Sequence, residues 1–130
     1  MIDISKAKIA FKKFLDKYED KSDLSFQLKV VHTYHVAENS KYIAEKLNLS
    51  KEDIELAELI GLLHDIGRFS QWTKNKSFND ELLDHAQLGC EILFSEGKIK
   101  DYDVQESDYE IIKKAILNHN KFKIDDDLTI

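Results

Sequence analysis

The stretch Ile54–Leu63 becomes apolar on nearly every side toward its end, then runs straight into His64 and Asp65. A helix without a polar face has to be enclosed, so the rest of the chain must wrap around this one. A buried imidazole beside a buried carboxylate is costly unless each is paired or bound to a cation. Consecutive side chains on a helix diverge by about 100°, so His64 and Asp65 are not expected to face each other. Both can still reach a third object, and a metal ion is the simplest one. Gly67 is expected to be the left-handed residue that stops the helix behind the pair.

The flanking sequence supplies the wrapping. Ala7, Ala10, Phe11, Phe14, Leu15 and Tyr18 repeat at helical spacing, which predicts a packing helix from about Ser5, its N-cap, to Glu19. A second helix is predicted over Phe26–Leu47, with Leu28, Val31, Val36, Ile43 and Leu47 facing inward and His32, His35 and Asn39 on or beside that stripe. Ser50-Lys51-Glu52-Asp53 reads as a serine-to-acid cap opening the central helix. Gln71–Leu83 reads as a polar connection across the mouth of the central helix's pocket. Asp84 should cap a short helix with His85 in its first position, ending near Gly97. A last helix should open at Ser107 and bury Ile111, Ile112, Ala115 and Ile116 on the way to His119. The expected fold is all-α, a bundle of five or more helices around the one ending in His64-Asp65, in a single domain spanning 1–130.

Composition narrows the function. The chain has 130 residues, 42% of them hydrophobic and 34% charged, which suits one soluble domain with a real core. A net charge of -6 argues against a nucleic-acid surface, which needs clustered Lys and Arg, but not against a phosphate held through a cation. The lone Cys90 forms no internal disulfide and is expected to be an inert buried thiol. No apolar run reaches the ~18 residues of a membrane span, so a cytoplasmic location is expected. His35 is expected at a rim, Phe69 and Trp72 at a core edge, and Glu45, Glu52, Glu55 and Glu58 on a solvated helix face. Lys74 reads as an ordinary exposed charge.

The candidate ligands are His32, His64, Asp65, His85 and His119. Imidazole nitrogen mixed with carboxylate oxygen suits Mn, Fe, Co, Ni or Zn, with Mg a weaker match. They lie on separate helices, so spacing alone cannot establish the set.

The motifs that carry these residues are His32-x-x-x-Val36-Ala37, Gly61-Leu62-Leu63-His64-Asp65-Ile66-Gly67-Arg68, Asp84-His85-Ala86-x-x-Gly89 and Ile116-x-Asn118-His119-Asn120. In that order they resemble the HD superfamily of metal-dependent phosphohydrolases, from about Leu28 to Lys121. The resemblance implies an all-helical fold centred on the helix that ends in His-Asp. It implies that His32, His64 and Asp65 bind a principal metal, and that His85 and His119 serve a second ion or face the substrate. Asp65 would bridge in the two-ion form. The family's final aspartate, downstream of the last histidine motif, has no counterpart here, because Asp125, Asp126 and Asp127 stand too near His119. The expectation is therefore a C-terminally truncated HD-type domain.

The activity so implied is hydrolysis of a phosphomonoester or phosphodiester, of a nucleotide or a related small molecule, by metal-activated water. Asp65, His85 and His119 would be catalytic, while Arg68 and Lys121 would contact phosphate. The alternative is an impaired HD-fold module with a ligand-binding or regulatory role. Oxidative cleavage at a di-iron centre, known in some relatives, would want the full ligand set. A truncated domain is also expected to pair as a homodimer through an exposed apolar face. No membrane partner and no DNA surface are expected.

Overall fold

Six α-helices follow one another in the computed structural model, which describes residues 2–79 and 84–118, and no strand occurs among those residues. α1 (Ile4–Asp16) is capped by Asp3, whose carboxylate accepts from the Lys6 amide at 3.2 Å. It therefore starts just before Ser5, the expected cap. Ala7, Phe11, Phe14 and Leu15 form its buried side, as their spacing predicts. α2 (Leu24–Lys46) is capped by Asp23, and α3 (Lys51–Leu63) by Ser50, whose hydroxyl accepts from the Asp53 amide.

α3 is the centre of the bundle, packed against α1, α2 and the last helix. Leu59, Leu62 and Leu63 are shielded from solvent, together with Phe11, Phe26, Ile66 and Phe69. Aromatic rings close the α1 side: Phe69 meets Phe26 at 4.8 Å and Phe11 at 6.0 Å between centroids. The Tyr18 hydroxyl hydrogen-bonds Ser70 across the same seam. No helix among the described residues is long and apolar enough to cross a membrane.

α2 meets α3 through a different face from the one expected. Phe26, Thr33, Ala37 and Ala44 are buried, whereas Leu28, Val31, Ile43 and Leu47 are 49–65% exposed. The reason is a close backbone crossing. A Cβ built on Gly61 of α3 would lie 2.8 Å from Ala37 Cα and 2.9 Å from Ser40 Oγ. Only small side chains fit at that crossing, so Leu28, Val31, Ile43 and Leu47 are left outside, whereas Phe26 in the first turn of α2 is buried against Phe69. Leu24, Leu28, Val31 and Tyr42 consequently share an outward stripe.

The expected solvated glutamate face also needs correction. Glu45 and Glu52 are exposed, but Glu58 is buried and paired with Lys8 at 3.3 Å. A helix wrapped by neighbours has even its polar flank covered, here by α1.

Gly67 does not end α3 in a left-handed turn. It opens α4 (Gly67–Asn75), which occupies the first part of the stretch expected to be a polar connection. A Cβ on Gly67 would meet His85 O at 2.1 Å and Gly89 N at 2.7 Å. Glycine is thus required by the crossing of α4 with α5 (His85–Cys90), not by its φ angle. Lys76 takes the left-handed conformation that ends α4. Asp84 caps α5 as predicted, accepting from the Ala86 amide at 2.9 Å. The chain continues through a π-helical turn (Glu91–Ser95) to Gly97, which is left-handed. α6 (Tyr109–Asn118) follows a 3-10 turn at Glu106–Asp108, and it buries Ile112 and Ile116 while Ile111 faces out.

Candidate metal centre

His64 and Asp65 lie just past the last residue of α3, in the short turn to α4. Outside the regular helix their side chains can converge, and His64 Nε2 stands 3.2 Å from Asp65 Oδ2. The expected divergence of the two side chains therefore does not hold. His64 Nδ1 is 2.6 Å from Gly61 O. A carbonyl only accepts, so Nδ1 is the donor in that bond and Nε2 is the ring nitrogen turned toward Asp65. This is the second partner by which ligating histidines are usually oriented.

α2 brings His32 to the same place, with Nε2 3.8 Å from Asp65 Oδ2. The donor atoms of His32, His64 and Asp65 all lie within 4.8 Å of one another. Metal bonds to nitrogen and oxygen are about 2.0–2.2 Å, so two donors sharing an ion stand at most about 4.4 Å apart. Both histidine–carboxylate separations satisfy that limit, and the residues present fit a divalent ion.

The other carboxylate oxygen has its own surroundings. His85, whose side chain exposes no surface, places Nε2 3.2 Å from Asp65 Oδ1. Arg68 Nε is 3.9 Å from that oxygen, and Lys29 Nζ is 3.8 Å from Oδ2. Asp65 itself is buried. One carboxylate at the end of the central helix is thus shared among groups from α2, α4, α5 and the turn before α4.

The His32 ring is held neutral to lower pH than an ordinary histidine. Burial is the main cause, and the positive charge of Lys29 adds to it; Asp65 pulls the other way, and His64 and His35 contribute smaller downward effects. A neutral ring is the form that ligates.

Arg68, expected to contact phosphate, is largely engaged within the protein. Its Nη1 donates to Gln71 Oε1 at 2.9 Å and to Phe78 O at 2.7 Å, fixing the turn after α4. His35 is exposed at the rim as expected, Phe69 is in the core, and Trp72 is half-buried against Phe78. Cys90 is a buried free thiol. His119 and Lys121 lie outside the described residues, as do Asp125, Asp126 and Asp127. Two residues at the site were not anticipated, Lys29 and Phe78. Lys29 stands one helical turn before His32, a spacing that could have flagged it. Phe78 gave no sign beyond being one of the two aromatic residues, with Trp72, in the stretch Gln71–Leu83.

The largest cavity described, about 760 Å³, is elsewhere. Its lining mixes Lys8, Lys41 and Lys51 with Glu45, Glu55 and Glu58, and it contains no histidine. Charges of both signs without a nucleophile or ligand cluster give it no evident chemistry.

The fold and site define an all-helical domain with a histidine–carboxylate donor set, suited to a divalent metal, at the end of its central helix. The family model described as HD domain matches residues 30–129, most of the chain and every candidate ligand. The protein belongs to the HD domain family, whose members are typically metal-dependent phosphohydrolases. No curated protein and no solved structure matches the chain significantly.

Proposed function

We propose that the protein hydrolyses a phosphate ester, of a nucleotide or a related small molecule, with a divalent transition metal held by His32, His64 and Asp65. The observation that carries this reading is the convergence of those three donor sets to within 4.8 Å in an HD-family domain. Mn, Fe, Co, Ni and Zn match the donors; Mg matches them less well. Such an ion, when bound, lowers the pKa of a coordinated water and takes up charge on phosphoryl oxygens.

The chain's own contributions are distinct from that. Gly61 O accepts from His64 Nδ1 and so orients the ring with Nε2 toward Asp65, as a ligand nitrogen would be. Full burial of His85 supports a positioning role, in which its Nε2 fixes the orientation of Asp65 through Oδ1. Were a second ion bound, His85 would be among the residues able to hold it. Proton delivery to the leaving oxygen would fall to His85 or His119, and with His85 Nε2 engaged at Asp65 Oδ1 we assign it to His119. Lys29 supplies positive charge beside the donors for a phosphoryl oxygen. Arg68 acts chiefly by holding the turn that carries Phe78, and Lys121 is retained as a weaker phosphate contact on its charge alone. We place the reaction in the cytoplasm, which the single unpaired Cys90 supports.

A screen of nucleotides and simple phosphate esters against protein loaded with each metal tests the reading. Turnover by the parent protein, lost in His64→Ala and Asp65→Ala, is the expected result. Stoichiometric metal binding with no turnover of any ester would leave a ligand-binding HD module in its place.

A further inference from the structure

We infer, resting on the phosphate-ester reading above, that the cleft formed by Ser25, Leu28, Lys29, His32 and Phe78 is a subsite for a flat aromatic group joined to the phosphate. Its volume is about 320 Å³, at the lower end of the roughly 300–1,000 Å³ found for small-molecule pockets. That space takes a single ring system with its phosphate, and not a polymer.

Three features give the cleft a direction. His32 lines it and also belongs to the metal donor set, so the cleft is continuous with the candidate reaction centre. Lys29 Nζ lies 3.8 Å from Asp65 Oδ2 and 5.2 Å from the centroid of the Phe78 ring. Positive charge is therefore close to both the donors and the aromatic wall, as the phosphate end of an aromatic ester would require. Beyond it, Phe78 and Leu28 offer apolar surface of the kind a ring stacks on.

The aromatic wall is held in place. Arg68 Nη1 donates to Phe78 O, the Arg68 guanidinium lies 5.9 Å from the Phe78 ring, and Trp72 packs beside it at 5.1 Å with a 31° tilt. A wall braced in this way needs little ordering when a ligand arrives. The leaving-group side of the substrate is thus selected by Phe78 and Leu28, and its phosphate by Lys29.

Calorimetric titration of the metal-loaded protein with phenyl phosphate, glycerol 2-phosphate and inorganic phosphate tests this, with hydrolysis of both esters followed in parallel. Phenyl phosphate should bind about tenfold tighter than glycerol 2-phosphate, a ratio in keeping with aromatic packing. Phe78→Leu, which keeps the apolar bulk and removes the ring, should reduce that ratio by about threefold or more. Lys29→Met should weaken all three ligands by roughly fivefold or more. No preference for phenyl phosphate, or a preference that Phe78→Leu leaves undiminished, would overturn the inference. A preserved aromatic preference without turnover would refute the hydrolase reading and keep the subsite. Turnover without the preference would do the reverse.

Discussion

His85, whose side chain is wholly buried, holds its Nε2 3.2 Å from Asp65 Oδ1, on the carboxylate oxygen other than the one nearest His32 and His64. The carboxylate is therefore fixed from one side while it presents its second oxygen to the metal donors. Outer partners of this kind are commonly worth 10–100-fold in metal affinity. His85→Ala should weaken metal binding by that order without abolishing it, measured by competition with a chromogenic chelator. Leaving Oδ1 short of a buried partner should also cost about 1–3 kcal/mol in stability. Unchanged affinity in His85→Ala would remove the positioning role.

Gly67 makes that placement of His85 feasible. A Cβ there would press on His85 O and Gly89 N, both backbone atoms that cannot swing aside. Gly67→Ala should force α4 and α5 apart, costing about 1–3 kcal/mol as overpacked sites do. Urea denaturation should show the lower midpoint, and metal affinity should fall with it. A midpoint equal to that of the parent protein would mean that the two helices separate freely.

The same contrast explains what could be read from the sequence. α3 was legible because its end has no polar face, and the Ser50 and Asp84 caps were legible because capping is local. The order of His32, His64, Asp65 and His85 pointed correctly to the HD family, since those motifs follow one another along the chain. The inward face of α2 was misread because periodicity gives weight to large apolar residues. The crossing instead selects small ones, Ala37 against Gly61, and leaves Leu28 and Val31 outside. Gly67 misled for a related reason, since a glycine demanded by a neighbouring helix looks the same in sequence as one demanded by a turn. Lys29 and Phe78 meet only once α2 and the end of α4 are in place.

The electrostatics of His32 give a pH dependence with a definite sign. Its pKa in the folded protein is below the ordinary value of about 6.5, so folding favours the neutral ring. The associated stability is present above about pH 6.5 and is lost as pH falls through the lowered value. In the metal-free protein the His32 ring resonances should titrate below pH 6.5 by NMR. Lys29→Met removes one of the two main downward influences and should move that midpoint up. A His32 midpoint at or above 6.5, or one indifferent to Lys29, would show that the charge of Lys29 does not reach the ring.

The most direct measurement is the metal content of the purified protein after exposure to Mn, Fe(II), Co, Ni or Zn and removal of the excess, beside His64→Ala and Asp65→Ala. Retention of about one or two ions per chain by the parent protein, with loss in both variants, is the predicted result. A parent protein that keeps no metal under any of these conditions, or variants that keep as much as the parent, would contradict the assignment of His32, His64 and Asp65 as a metal centre.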